Sequence, residues 1–355
     1  MSTKLNINQV QLFTKIPVFP STRFQGSKVK ILNWIWGNIR NLEFKTALDA
    51  FGGTGCIGYL LKQKNKLVTY NDLLKFNWYI GLALIENDSV TINDEDVNFL
   101  VSNHYDIEYP TFIYENFKCI YFTDEENKWI DMVVTNIDFL DNIYKKAMAY
   151  FALIQACIIK RPFNLFHRKN LYLRFSDVPR NFGNKTTWDT PFEIHFRNFV
   201  EEANRAVFSN GQKNKALNCN IFEVNGDFDL VYIDTPYISK KGVAVDYLGF
   251  YHFLEGLVNY TKWEEMIDYK TKHRRLKSQA NPWLDKRSIY DAFDKLFRKF
   301  SESILVISYR SDGIPAINDL KNLLKKYKSD VVLARRPYKY VLSNNHSEEV
   351  LLIGK

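Results

Sequence analysis

The turn Phe51-Gly52-Gly53-Thr54-Gly55 follows a short apolar segment that ends in an acid, Asp49. Glycines in such a turn admit positive φ and let a ligand lie against bare backbone, and a helix beyond it offers oriented N–H groups. Alone, the pattern is equally that of a tight strand-to-helix turn. A second acid, Asp72, closes the next apolar run about twenty residues later, where a carboxylate commonly takes the hydroxyls of a ribose. Together these residues point to a nucleoside cofactor without saying which. Two further segments carry chemistry. The run DLVYI leads into Asp234-Thr235-Pro236-Tyr237, and Arg23-Phe24-Gln25-Gly26-Ser27-Lys28 lies near the start.

The elements that must position these residues alternate. Residues 45–50 read as a buried strand, residues 56–62 as a helix, Leu67–Asn71 as a strand and residues 74–86 as a helix, the order of a parallel α/β sheet. From about 87 to 214 the rhythm breaks, and only two helices stand out, at 143–159 and around 192–208. Strand signals resume at 216–220, 229–233, 304–308 and 331–333, and 338–342 with 350–353 reads as a hairpin around Ser343-Asn344-Asn345. The expected architecture is a mostly parallel twisted sheet split by an insertion of about 130 residues. The catalytic domain is then residues 1–88 with 215–355, and the inserted region 89–214.

Composition sets the bounds. The chain has 355 residues and a formal charge of +8, which suits a polyanionic partner without proving one. Four scattered cysteines, Cys56, Cys119, Cys157 and Cys219, lack C-x-x-C spacing, as expected of a reduced cytoplasmic protein without structural zinc. The six histidines form no metal-ligand spacing and read as structural, so no metal is expected. No apolar stretch has the length of a membrane span.

The combination resembles the amino-methylating DNA methyltransferases, whose signature is D-P-P-Y after a central strand. The F-x-G-x-G turn at 51–55 looks like their cofactor motif, and R-F-Q-G-S-K resembles their N-terminal motif. The motif order matches the adenine-methylating subgroup with a long insertion. The resemblance implies a Rossmann-like methyltransferase fold and S-adenosyl-L-methionine as cofactor. It further implies that Asp49, Phe51, Gly52, Gly53 and Gly55 line the cofactor's methionine half and that Asp72 binds its ribose. Asn220 and Ile221 would flank its adenine, and Gln25 and Lys28 would sit near its carboxylate. Asn220 stands where the family usually has an acid, and Thr235 where it has the first Pro of D-P-P-Y.

The four residues Asp234, Thr235, Pro236 and Tyr237, which the resemblance implies are catalytic, suit the chemistry. Adenine N6 is a poor nucleophile because its lone pair is delocalised into the ring. An acceptor on each N6 hydrogen, the Asp234 carboxylate and the Thr235 carbonyl, favours a tetrahedral nitrogen as charge develops. Pro236 fixes φ and aims Tyr237, whose ring is expected to hold the base once turned out of the duplex. Thr235 keeps the carbonyl, so the substitution is expected to loosen the loop rather than abolish activity.

On the DNA side, residues 160–188 carry seven Lys or Arg interleaved with aromatics. Lys160, Arg161, Arg168, Lys169 and Arg174 are therefore expected on the phosphates or base edges of duplex DNA. Lys240 and Lys241 belong to a loop expected to close over the base, and Arg274 and Arg275 to a second basic cluster. A solvated face explains either cluster equally well. Arg310 reads as a functional group or, with Asp312, as a loop ion pair. The expected function is site-specific adenine methylation, in an epigenetic setting or beside a cognate restriction endonuclease. Cytosine N4, adenine in RNA, a protein glutamine amide and an inactive DNA-recognition subunit are the alternatives.

Overall fold

The computed structural model describes residues 17–176, 185–338 and 347–355. Nine strands are present among them: β1 (Thr46–Asp49), β2 (Leu67–Asn71), β3 (Lys215–Leu217), β4 (Leu230–Ile233), β5 (Ile238–Ser239), β6 (Ile304–Arg310), β7 (Gly313–Ile314), β8 (Val331–Tyr338) and β9 (Ser347–Gly354). Seven form one sheet in the order β3-β2-β1-β4-β6-β9-β8, while β5 and β7 make a separate ribbon. Strands β3 to β6 of the sheet pair in parallel, and β9 and β8 close its edge antiparallel. The mostly parallel sheet and its helices are the α/β fold expected. The hairpin is longer than the sequence signals suggest. Residues 331–338 form one strand in register with β9, and the expected 338–342 arm and its turn lie, beyond Tyr338, outside the described residues.

Alternation along the strands divides the core. Ala47, Val68, Tyr232 and Val306 face one apolar cluster, and Leu48, Val231, Ile233 and Ile307 face the other. The chain reverses its order between β1 and β4, so a crevice opens at their carboxyl ends, the usual ligand position in open α/β sheets. Asp49 ends β1 opposite Tyr232 of β4, and Asp234 follows β4 directly.

Residues 89–214, expected to be an insertion, are helical where described. Their Ile143–Ile159 helix matches the expected bounds and is buried along nearly its whole length. That helix packs on Phe192–Ala206 and on Lys75–Gly81, so this region shares one face's core with the sheet strands.

Candidate active site

The glycine turn folds as its residue types require. Gly55 has φ +75° and precedes the Cys56–Gln63 helix. A Cβ on Gly52 would lie 2.0 Å from the Tyr70 ring. Asp49 accepts the Gly58 N–H at 2.9 Å. Asp72 reaches back to the turn, accepting from Gly53 N and Leu74 N, each at 2.9 Å. A carboxylate has about four acceptor positions, so capacity for a ribose remains.

The segment 23–28 crosses in front of the crevice as a strap. Phe24 stacks on Tyr251 with ring centroids 4.2 Å apart, and Gln25 N donates to the Tyr251 hydroxyl. Gly26 has φ +86°, and a Cβ there would meet the Tyr247 hydroxyl at 2.4 Å. The strap delivers Lys28 into the interior, 4% exposed. Its ammonium donates to the Tyr237 hydroxyl (2.6 Å) and to Glu349 (2.8 Å), and pairs with Asp234 at 3.3 Å. Tyr237 donates its hydroxyl to Asp234 at 2.6 Å.

Between strap and sheet lies a cavity of about 800 Å³ that joins the glycine turn to Asp234. Of the expected cofactor residues, Gln25, Lys28, Asp49, Phe51, Gly52, Asp72, Asn220 and Ile221 line it, as do Asp234 and Pro236. Gly53 and Gly55 shape the turn from behind this wall, and Thr235 is buried beside it. Asn220 also caps the next turn, accepting from Phe222 N at 3.1 Å.

Burial raises the carboxyl groups around the cavity. Asp49 is pushed to about 7 by desolvation, against the Gly58 N–H and with repulsion from Asp234 and Asp72. Asp234 rises to about 6 by desolvation, with Lys28 and Tyr237 opposing and Glu349 adding. Glu255 rises to about 7 by burial although it accepts from the N–H groups of Phe76 and Lys75. Such a wall favours a cationic ligand. Gln25 Oε1 and Asn77 Oδ1 are buried acceptors with no hydrogen-bond partner among the described residues, and both line this cavity.

Comparison with known proteins settles the family. Residues 24–313 match the D12 class N6 adenine-specific DNA methyltransferases. The chain belongs to that family. It is 28% identical to the type II methyltransferase M2.HphI of Haemophilus parahaemolyticus, over 94% of this chain and 96% of that one. Modification methylase LlaI of Lactococcus lactis subsp. lactis is 25% identical over 92% of the chain, which spans 52% of it. The type II methyltransferase M.FokI of Planomicrobium okeanokoites is 26% identical over 92% of the chain, which spans 50% of it. The expected recognition, fold and adenine-specific DNA methyltransferase activity therefore stand.

Several site expectations need correction. Lys28, expected beside the cofactor carboxylate, lines the cavity and directs its ammonium to Asp234, Tyr237 and Glu349. Tyr237, expected to hold the base, is 5% exposed, packs edge-on against Tyr309 and is not among the residues that line the cavity. Lys160, Arg161 and Arg174 are buried at 2%, 1% and 4%, and so do not present themselves to phosphates. Lys160 and Arg174 share Glu126, at 2.8 and 2.6 Å. Arg161 donates to the carbonyls of Leu165, Tyr121 and Arg168 and to the Asn170 side chain. Their neighbours Arg168 and Lys169 are exposed. Arg180, in the same basic stretch, lies outside the described residues.

Arg310 and Asp312 form an ion pair at 2.8 Å. No helix of the described residues is long and apolar enough to cross a membrane, and none of them form a cluster of three or more metal-ligating side chains.

Residues missed in the sequence include Tyr247, Tyr251 and Glu255, spaced i, i+4, i+8 along Tyr247–Leu257. That spacing was the available signal. Glu349 and Trp283, both at the site, carry no local signal.

Proposed function

We propose that this cavity binds S-adenosyl-L-methionine at the 49–55 turn and Asp72, and that Asp234 grips the amino group of a turned-out adenine. The reading rests on one observation: a single cavity joins the glycine turn to the D-x-P-Y loop. The residues present fit the cofactor. Asp49 is a buried, proton-hungry carboxylate that a sulfonium or ammonium would hold ionised, and Gln25 and Asn77 supply open acceptors. When bound, the cofactor supplies an activated methyl group.

The chain's own residues do the rest. Asp234 and the Thr235 carbonyl accept the two N6 hydrogens and pull the nitrogen toward tetrahedral geometry. The Tyr237 hydroxyl occupies Asp234 Oδ1, so arrival of the amino group displaces it and frees acceptor and ring together. The strap and the wall of Tyr247, Phe250 and Trp283 exclude water from the site.

Duplex DNA then lies across the mouth. Exposed Arg168, Lys169, Lys240, Lys241 and Arg275 and half-buried Arg274 are the cations offered to its phosphates. Buried Lys160, Arg161 and Arg174 brace the 160–176 segment from below, as part of a target-recognition region within 89–214. The names of the relatives support a role in restriction–modification, beside a cognate endonuclease in the cytoplasm. Incubation with labelled S-adenosylmethionine and unmethylated plasmid, followed by nucleoside analysis, is expected to put label in N6-methyladenine. Label in N4-methylcytosine alone, or none, overturns the reading.

A further inference from the structure

The residues matched to the family end at 313, yet the polar cluster around Asp234 is completed from beyond that point. Glu349 lies on β9, an interior strand between β6 and β8. Alternation along β9 sends Leu351 and Ile353 to the same face as Tyr232 and Val306, and Glu349, two residues before Leu351, falls on that face too. It is 0% exposed. A carboxylate so buried is costly unless its charge is answered. Glu349 Oε1 accepts from Lys28 Nζ at 2.8 Å and from Ser308 Oγ at 2.5 Å. The same ammonium lies 3.3 Å from Asp234 Oδ1. One cation thus stands between two carboxylates among the described residues, closer to the one that does not face the substrate.

The distances have a chemical consequence. A lysine committed to Asp234 would neutralise it and weaken it as an acceptor for an amino group. A lysine drawn aside leaves Asp234 with more of its charge. We propose that Glu349 is a positioning residue for methyl transfer, holding the Lys28 ammonium off Asp234 so that this carboxylate stays a strong acceptor for adenine N6. The proposal rests on the reading of Asp234 given above. Among the described residues, the other groups facing the cluster are Tyr237 on the D-x-P-Y loop, Tyr232 on β4, Ser308 on β6 and Tyr247 on the helix Tyr247–Leu257. Asp49 lies within electrostatic reach, and Arg310 is occupied by Asp312. The raised position of Asp234, to which Glu349 contributes, agrees with the geometry.

The test compares E349Q, E349D and D234N, each first shown to melt as the parent does. Initial rates of labelled methyl transfer from S-adenosylmethionine to unmethylated plasmid are followed from pH 5 to 9. In E349Q the rate at pH 8 is expected to fall about tenfold, and the acid limb of the profile to move down by roughly half to one pH unit. KM for DNA and cofactor should change less than about twofold. E349D keeps the charge, and its limb should stay where the parent's is. Parental rate and limb in E349Q overturn the proposal. So do equal losses in E349Q and E349D with unmoved limbs, which would mark a merely structural glutamate. If instead D234N turns over normally, the reading of Asp234 itself fails, whatever the Glu349 variants do.

Discussion

Two buried ion clusters in this methyltransferase have opposite charge balance. At the cavity, the one lysine 28 serves two acids, Asp234 and Glu349. Within residues 89–214, the one acid Glu126 serves two cations, Lys160 and Arg174. The first borders a cavity and holds a carboxyl raised to about 6. The second does not line that cavity. Burial alone would raise Glu126, but hydrogen bonds and charge from Arg174 and Lys160 take it below its usual range. An excess of like charge beside open space keeps a group reactive, whereas closed pairing with spare cations builds a scaffold.

Substitutions can break this contrast. The largest effect is expected at the reactive cluster. Asp234→Ala should lower methyl transfer at least about 10³-fold while DNA still shifts in a gel. Loss of DNA binding together with activity would instead make Asp234 structural. At the scaffold cluster, Glu126→Ala strands two buried cations and should cost about 3 kcal/mol of stability in urea unfolding. An unchanged midpoint would mean that the cluster is open to water.

Acidity should separate the clusters further. Asp49 and Asp234 have raised folded values, about 7 and about 6. The stability they contribute is present at low pH and lost as pH rises through 6 to 7. Glu126 is lowered, so its contribution is present above the ordinary carboxylate range and lost as pH falls through it. Without ligand, the protein should therefore be more stable near pH 5 than near pH 8, by roughly 1–3 kcal/mol. Asp49→Asn should flatten that decline in a melting series. Activity runs the other way, falling below about pH 6 as Asp234 takes up a proton.

The exposed neighbours of the scaffold sharpen the comparison at smaller scale. Arg168→Ala and Lys169→Ala should each reduce the salt dependence of DNA binding by about one unit of slope and leave stability unchanged. An unaltered slope would move the DNA path elsewhere. The smallest effect is expected at Thr235, whose buried hydroxyl has no hydrogen-bond partner among the described residues. Thr235→Val should stabilise by about 1 kcal/mol and change turnover little.

Much of this was written in the chain order. β2 at Leu67–Asn71 and the Ile143–Ile159 helix match their sequence signals residue for residue. Asp49, Asp72 and Asp234, each placed by a local motif, meet at one cavity. Strand alternation and glycine conformation act within a few residues, so a sequence window contains their causes. The worth of a charge does not. Lys28 meets Glu349 across 321 positions, and Arg174 meets Glu126 across 48. Whether a lysine or arginine faces phosphate, cofactor or a buried acid depends on desolvation and on partners that only the packed chain brings together.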